Sequence, residues 1–269
     1  MAKNIIPILA LGVLILIWST LGSSSSGLDL DDVKLVLQRS AEMIRKYEGA
    51  APDYDYLETD KHADGRTKTF QELMILGSRY ERLVAVNGIP LSPPQEAQEQ
   101  RKLEATIARR RNESQEERVQ RLAKEEEIRK RNYALIEQIP AGFDFAYVGQ
   151  QQLAGRDVYV LKATPKVGYR PVNRETQVLE GMQGQLWIDK ETYNWVKVEA
   201  ECIRPVSIVG YLARVEPGTR FELEMRPLSE GVWMPSHFAM KARAKVFFFF
   251  NHESSDDESY SEYHKATQY

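Results

Sequence analysis

The sequence predicts an α+β protein in which a strongly curved antiparallel sheet forms an unclosed β-barrel, with a helical lid and a long charged helical insertion. Segments that alternate apolar and polar residues recur between short turn signals, which is typical of consecutive antiparallel hairpins. One of them, residues 236–250, is unusually long, and long strands coil because they twist. Two further segments have helical periodicity and can cover an apolar sheet face.

Composition is that of an ordinary globular protein. Of 269 residues, 42% are hydrophobic and 28% are charged, and the formal net charge of −3 argues against a dedicated nucleic-acid binder. No Pro-rich or Gly-rich linker divides residues 28–269, so we expect them to form a single domain. Cys202 is the only cysteine, which excludes an intramolecular disulfide, and we expect it in the core.

Residues 1–27 have the order of a secretory signal peptide. Lys3 is followed by an apolar run at residues 5–18 and then by small residues. The run is shorter than the roughly 20 residues that span a bilayer. We therefore predict cleavage and a periplasmic protein. The alternative is an uncleaved signal anchor in the inner membrane.

The first element after the signal is predicted to be a helix over residues 28–49. Asp29 or Asp31 can cap its start, and Gly49 can end it. Three strands with turns between them then follow. They are predicted at residues 54–59, 67–76 and 79–86.

Residues 95–138 form a charged insertion that is rich in helix formers and lacks Gly and Pro. Several glutamates precede Lys or Arg by four residues, the order that stabilises a helix. Its apolar residues keep no heptad register, which favours a long solvated helix over a coiled-coil partner. A break at residues 112–114, giving a helical hairpin, is a further alternative.

The chain from residue 143 is again rich in strands. Apart from residues 236–250, they are predicted at residues 143–151, 156–165, 184–201 (a hairpin) and 220–228, with a last short strand at 259–267. A long loop is predicted at residues 166–182, and the acidic run 251–258 is predicted to be a solvated loop.

The hairpin at residues 184–201 carries two tryptophans among polar positions. Joining its aliphatic sets pairs Leu186 with Val196 and Trp187 with Trp195, leaving residues 190–192 as the turn. This register places both tryptophans side by side on the outer face.

One face of the predicted sheet is apolar. Alternation alone does not distinguish a filled core from a cavity. A cavity is favoured because coiled strands leave a concavity that short helices fill incompletely, and because methionine and alanine suit variable apolar contents. The predicted lining residues are Leu186, Ile188, Val196, Val198, Phe221, Leu223, Phe238, Met240, Ala242 and Val246.

Catalytic and metal-binding patterns are not found in the sequence. The four histidines have no zinc-ligand spacing, and there is no GxSxG, P-loop or GxGxxG motif. We therefore expect no enzyme activity, metal or cofactor. A hydrolase that uses His62 or His237 is the remaining enzymatic alternative.

Four stretches carry a family resemblance: "YERLVAVNGIPLS", "GRDVYVLKATPKVGYRP", "GQLWIDKETYNWVKVEAE" and "WMPSHFAMKARAKVFFF". Over about residues 30–269 the chain resembles the periplasmic outer-membrane lipoprotein-sorting (LolA/LolB-like) proteins, and in particular an uncharacterised secreted branch with a charged helical insertion. The resemblance implies a LolA-like unclosed barrel whose apolar cavity binds acyl chains or lipoproteins without chemistry. The insertion at residues 95–138 departs from the carriers.

Together these observations predict a non-enzymatic cell-envelope protein that holds an acyl chain, a lipid or a lipoprotein in its cavity, with peripheral membrane contact. The alternative is an envelope sensor or scaffold that binds a protein partner through residues 95–138.

Overall fold

The computed structural model describes residues 28–208, 213–228, 231–246 and 250–269. The predicted signal peptide lies outside these residues. Within the described ranges, no helix combines the length and the apolarity that crossing a bilayer requires.

Three α-helices and thirteen strands make up the described fold. The helices are α1 (Leu30–Ala50), α2 (Pro93–Arg111) and α3 (Gln115–Gly142). The first seven strands are β1 (Tyr54–Lys61), β2 (Thr67–Ile75), β3 (Ser78–Val86), β4 (Ile89–Pro90), β5 (Phe143–Leu153), β6 (Arg156–Pro165) and β7 (Met182–Asp189). The last six are β8 (Trp195–Cys202), β9 (Val206–Ser207), β10 (Ala213–Val215), β11 (Arg220–Pro227), β12 (Trp233–Val246) and β13 (Phe250–Lys265). Short 3-10 helices occupy Ala51–Asp53 and Glu175–Gly181.

The strands form one antiparallel sheet in the order β4-β3-β2-β1-β13-β12-β11-β8-β7-β6-β5, with β10 joined to β12 and β9 to β10. The two edge strands β4 and β5 do not pair with each other among the described residues, so the barrel is unclosed. Arg79 of β3 and Phe143 of β5 nevertheless line one cavity, which shows how strongly the sheet curves. The predicted α+β fold class is confirmed.

Helix α1 begins where the sequence predicted. The Asp29 carboxylate accepts hydrogen bonds from the backbone N–H groups of Asp31 and Asp32 and so caps the helix. Val33 and Val36 are buried in the main core, against the inner face of the sheet, meaning the face that carries the helices.

The insertion consists of two helices rather than one long helix. Helix α2 ends at Arg111, and α3 begins at Gln115 after the N-cap Ser114. The Ser114 hydroxyl accepts a hydrogen bond from the backbone of Glu117, whose carboxylate accepts one in return from the backbone of Ser114. The alternative break at residues 112–114 is confirmed, and the single-helix prediction is wrong.

The acidic run at residues 251–258 is not a loop. It belongs to the sixteen-residue strand β13, which pairs along most of β12. Its acidic side chains find basic partners there: Arg243 Nε lies 3.3 Å from Glu253 Oε1, and His237 Nε2 lies 3.0 Å from Asp257 Oδ1. The ion pair of Glu253 and the hydrogen bond of Asp257 across the ladder help to stabilise this acidic segment as a strand.

The predicted register of the tryptophan hairpin is wrong. Leu186 lies opposite Val198 rather than Val196, because a β-bulge leaves Val196 without a partner in the ladder. The connection is also longer than predicted, since residues 190–194 rather than 190–192 join the two strands.

The bulge separates the two tryptophans. Trp187 lies opposite Lys197, so it shares the outer face with that lysine, as predicted. Trp195 lies opposite Ile188 on the inner face, where its indole N–H donates a hydrogen bond to the hydroxyl of Ser40 on α1. The predicted outward pair of tryptophans is therefore wrong for Trp195.

Candidate functional site

A cavity of about 1340 Å³ lies between the inner face of the sheet and the helices α1 and α3. Binding sites for small ligands usually measure about 300–1,000 Å³, so this volume admits a guest of lipid size. Part of the roof is apolar and comes from α1 and α3. These roof residues are Ile44, Ile128, Leu135, Ile136 and Ile139.

One side of the cavity, which we call the apolar wall, is built by β7, β8, β11 and β12. Register explains its composition, since Leu223 lies opposite both Val198 and Phe238 and all three share the inner face. The rings of Phe221 and Phe238 meet edge to face, with centroids 5.4 Å apart. The apolar wall contains seven of the predicted lining residues: Leu186, Val198, Phe221, Leu223, Phe238, Met240 and Ala242.

The other three predicted lining residues do not lie on the described cavity surface. Ile188 and Val196 are 0% and 4% exposed and belong to the packed core that includes Val33 and Val36 of α1. The inner face is thus filled beneath α1 and open beyond it. Val246 pairs through its backbone in β12, and its side chain lies outside the described part of the chain.

The opposite side of the cavity is polar, and the sequence analysis missed it. This acidic–aromatic wall consists of Tyr56, Glu58, Glu258, Tyr260 and Tyr263, contributed by β1 and β13. Strict alternation in "YDYLETD" places Tyr56 and Glu58 on one face and could have revealed the wall. It was overlooked because polar positions of a strand are normally assigned to solvent.

The two walls meet along the β12–β13 ladder, where Phe238 lies opposite Glu258. The Tyr260 hydroxyl donates a hydrogen bond to the Glu258 carboxylate. The Tyr56 ring packs against Tyr263 and Tyr260, with centroid distances of 5.1 and 6.0 Å. The polar end of the cavity therefore presents phenol rings with carboxylates between them.

The carboxyl groups of this region have perturbed pKa values. Burial, reinforced by repulsion from Glu72 and Glu258, raises the pKa of Glu58 to about 8. Burial likewise raises the pKa of Glu72 to about 7, although the guanidinium of Arg79 opposes the shift from 3.5 Å. The pKa of Glu258 is also raised by burial, against the hydrogen bond from Tyr260. Near neutral pH, Glu58 and Glu72 are therefore at least partly protonated.

Three carboxylates come close enough to share one cation. Oxygen atoms of Glu58, Asp60 and Glu258 all lie within 4.8 Å of one another. Asp60 lies opposite Glu258 in the β1–β13 ladder, and Glu58 lies opposite Tyr260. The wall is thus a place where positive charge is stabilised.

The helical insertion is fastened beside this wall by two arginines. The Arg110 guanidinium is buried and donates hydrogen bonds of 2.8–3.0 Å to the carbonyl oxygens of Ile75, Ser78 and Arg79. The Arg121 guanidinium donates to the Leu76 carbonyl and to the Ser78 hydroxyl in the same turn. We call these contacts the arginine latch; they hold α2 and α3 on the β2–β3 turn.

The histidines considered for catalysis lie away from the cavity lining. His62 is exposed at the turn between β1 and β2. His237 lies on the outer face of β12 beside Asp257, while its neighbour Phe238 faces the cavity. The arrangement brings neither imidazole to the walls described above.

No protein-family model matches the sequence, and no curated protein matches it either. Three matching solved structures are a proposed outer membrane lipoprotein-sorting protein domain from Vibrio parahaemolyticus, a DUF1329 family protein from Desulfovibrio piger and a LolA superfamily protein from Nitrosomonas europaea. They are 12%, 11% and 9% identical, with TM-scores of 0.34, 0.30 and 0.31. The matches cover 86%, 87% and 86% of this chain and 93%, 92% and 94% of those chains.

Proposed function

We propose that the protein is a non-enzymatic cell-envelope protein that binds an acyl chain, a lipid or a lipoprotein in its cavity. The observation that carries this proposal is the apolar wall, where side chains of four strands line a cavity of about 1340 Å³. Peripheral contact with a membrane would deliver such a guest.

Apolar burial supplies enough free energy for this function. Each methylene removed from water contributes about 0.8 kcal/mol, so about ten buried methylenes contribute about 8 kcal/mol. Immobilising the chain opposes part of this gain. The net affinity would then lie in the micromolar to millimolar range for a single chain, since 8.2 kcal/mol corresponds to about 1 μM. That range suits a guest that is taken up and released.

Mass spectrometry of the protein purified from its native envelope tests the proposal. We expect a co-purified lipid that is displaced by an added fluorescent fatty acid. Phe221→Asp puts a charge on the apolar wall and should weaken fatty-acid binding at least tenfold. Val148→Asp is the matched control, because Val148 is an exposed apolar residue on β5. A folded protein that carries no lipid and binds no fatty acid would refute the proposal.

Export through a cleaved signal peptide is part of the same proposal. N-terminal sequencing of the mature protein should begin near residue 28, in the soluble periplasmic fraction. Recovery of an uncut chain in the inner-membrane fraction would support the signal anchor instead.

The scaffold function remains a second candidate, because the insertion keeps an exposed surface although α3 forms part of the cavity roof. Val119 is 56% exposed on α3 among charged neighbours. Deleting residues 95–138 would open the cavity and is a poor test. Charge reversal at Arg118 and Lys124, which lie outside the cavity lining, should abolish partner capture while fatty-acid binding stays unchanged. Unchanged capture by that variant would count against the scaffold.

A further inference from the structure

We infer that the cavity prefers a cationic amphiphile, whose alkyl chain lies on the apolar wall and whose ammonium group lies on the acidic–aromatic wall. The inference rests on the proposed function, because it assigns the head group of the same guest. The contact between the walls at Phe238 and Glu258 lets one molecule reach both.

The aromatic rings supply the first argument. Ammonium groups are attracted to the faces of tyrosine rings, and several rings together form the cages that hold quaternary ammonium ions. Tyr56, Tyr260 and Tyr263 are clustered at this end of the cavity. Tyr263 is held in place because its hydroxyl donates to the Pro235 carbonyl, and a protein cation, Arg226, already lies 5.7 Å from its ring centroid.

The charge balance supplies the second argument. Four carboxyl groups, on Glu58, Asp60, Glu72 and Glu258, act on one another at this wall, and Arg79 is the cation that opposes them most strongly. The other charged groups that act here, Glu81, Asp256 and Glu125 (the last from α3), add further negative charge. Four further arginines line the cavity, Arg129, Arg131, Arg174 and Arg243, and of these Arg129 is paired with Glu126 and Arg243 with Glu253. The inferred preference therefore belongs to the acidic–aromatic wall and not to the cavity as a whole.

Two carboxylate oxygens behind the acidic–aromatic wall, outside the cavity lining, supply a third argument. Glu72 is only 2% exposed and lies opposite Tyr56, and its Oε2 accepts no hydrogen bond from the described residues. Among the described residues, the only ion-pair partner of Glu72 Oε2 is Arg79, whose Nε lies 3.5 Å away. One oxygen of Asp60 is likewise without a donor there. Neither oxygen lines the cavity, so a guest does not contact it, but the negative charge of these groups when they are ionised attracts a cation bound at the wall.

An organic cation fits this wall better than a metal ion. Calcium requires six to eight oxygen ligands, whereas the cluster supplies three carboxylates. Tyrosine rings add nothing to a calcium site, yet they stabilise an ammonium group. The apolar wall beside the carboxylates also suits a head group that carries a chain.

Chain-matched guests test the inference. Dodecyltrimethylammonium, dodecyl maltoside and dodecanoate would each be titrated calorimetrically, below their critical micelle concentrations and at pH 8.5, where the carboxyls are more fully ionised. We expect the cation to bind at least tenfold more tightly than dodecanoate, with the maltoside between them. Binding of the cation should release protons, and its affinity should rise from pH 6 to pH 9.

Two matched variants test whether Glu58 and Glu258 produce the preference for the cationic guest. Glu58→Gln combined with Glu258→Gln removes two charges with little change of shape and should abolish the preference for the cation. Glu127→Gln removes one charge from the exposed face of α3 and should leave the preference intact. A preference that survives the double substitution would overturn the assigned site.

The remaining outcomes separate this inference from the proposed function. Equal affinities for all three guests would refute the head-group inference while leaving acyl-chain binding in place. If no guest binds to the folded protein, the proposed function itself fails. Calcium binding that requires Glu58 and Glu258 and excludes the amphiphile would assign the wall to a metal and overturn the inference.

Discussion

Replacing Ala242 by phenylalanine places an aromatic ring in the cavity, because Ala242 is on the apolar wall of β12. If this region were a filled core, the added ring would overpack it and lower the free energy of unfolding by about 1–3 kcal/mol. In an open cavity, the ring buries apolar surface without a clash. Full burial of a phenylalanine contributes about 1.5–3 kcal/mol. Partial burial should therefore leave stability unchanged or raise it by about 1 kcal/mol.

The same substitution should weaken ligand binding. A ring at position 242 occupies space that about two to four methylenes of a bound chain would use. At about 0.8 kcal/mol each, their loss weakens binding by about 1.6–3.2 kcal/mol, which corresponds to about 10- to 200-fold. The variant would then be as stable as the parent protein and yet bind fatty acid poorly.

Urea unfolding gives the stability change, and displacement of a fluorescent fatty acid gives the affinity. Val158→Phe is the control, since Val158 is 0% exposed and packed, and we expect it to lose about 1–3 kcal/mol of stability. Should Ala242→Phe lose as much stability as the control, the cavity is a filled core and the carrier proposal falls.

Three further predictions follow from described contacts. Folded Glu58 and Glu72 keep their protons up to pH values of about 8 and 7, whereas unfolded glutamates lose them near 4.5. The folded state then binds more protons, so the free energy of unfolding should fall from pH 6 to pH 9 in urea titrations, and Glu58→Gln should flatten this slope. Arg110→Met breaks the arginine latch and should cost about 2–4 kcal/mol with faster hydrogen exchange in α2, whereas the exposed Arg109→Met should do neither. Trp195→Phe removes the hydrogen bond to α1 and should cost about 1–3 kcal/mol in thermal unfolding, and an unchanged melting temperature would contradict that role.

Local signals in the sequence predicted much of the fold. The first helix and the strands around it were placed to within one or two residues, because capping residues, turn glycines and alternation act over short distances. The predicted faces of Phe221 and Leu223 on β11 and of Phe238 and Met240 on β12 were also correct, because the bulge between these two strands lies beyond them, between Glu224 and Met225. These are properties that neighbouring residues determine.

The errors arise where distant segments decide the outcome. A bulge at Val196 turned Trp195 inward, and that indole hydrogen-bonds to a helix some 150 residues earlier. The acidic run was assigned to a loop because the basic residues of β12 that balance it were not considered as its partners. Burial of Glu58 runs against the usual assignment of charged residues to solvent, so polarity alone could not place it.

The chain order of the insertion has a mechanical consequence. Helices α2 and α3 join β4 to β5, the two edge strands of the sheet. The insertion is therefore a covalent connection across the open side of the barrel. Separating two strands of the sheet would break a ladder of backbone hydrogen bonds. Moving the insertion would break the arginine contacts and also the packing of Leu103 on Leu73 and Ile75 and of the apolar side chains of α3 on the main core. A guest that entered the proposed binding cavity between β4 and β5 would have to pass this insertion, which Arg110 and Arg121 fix to the β2–β3 turn on both sides of the break at residues 112–114.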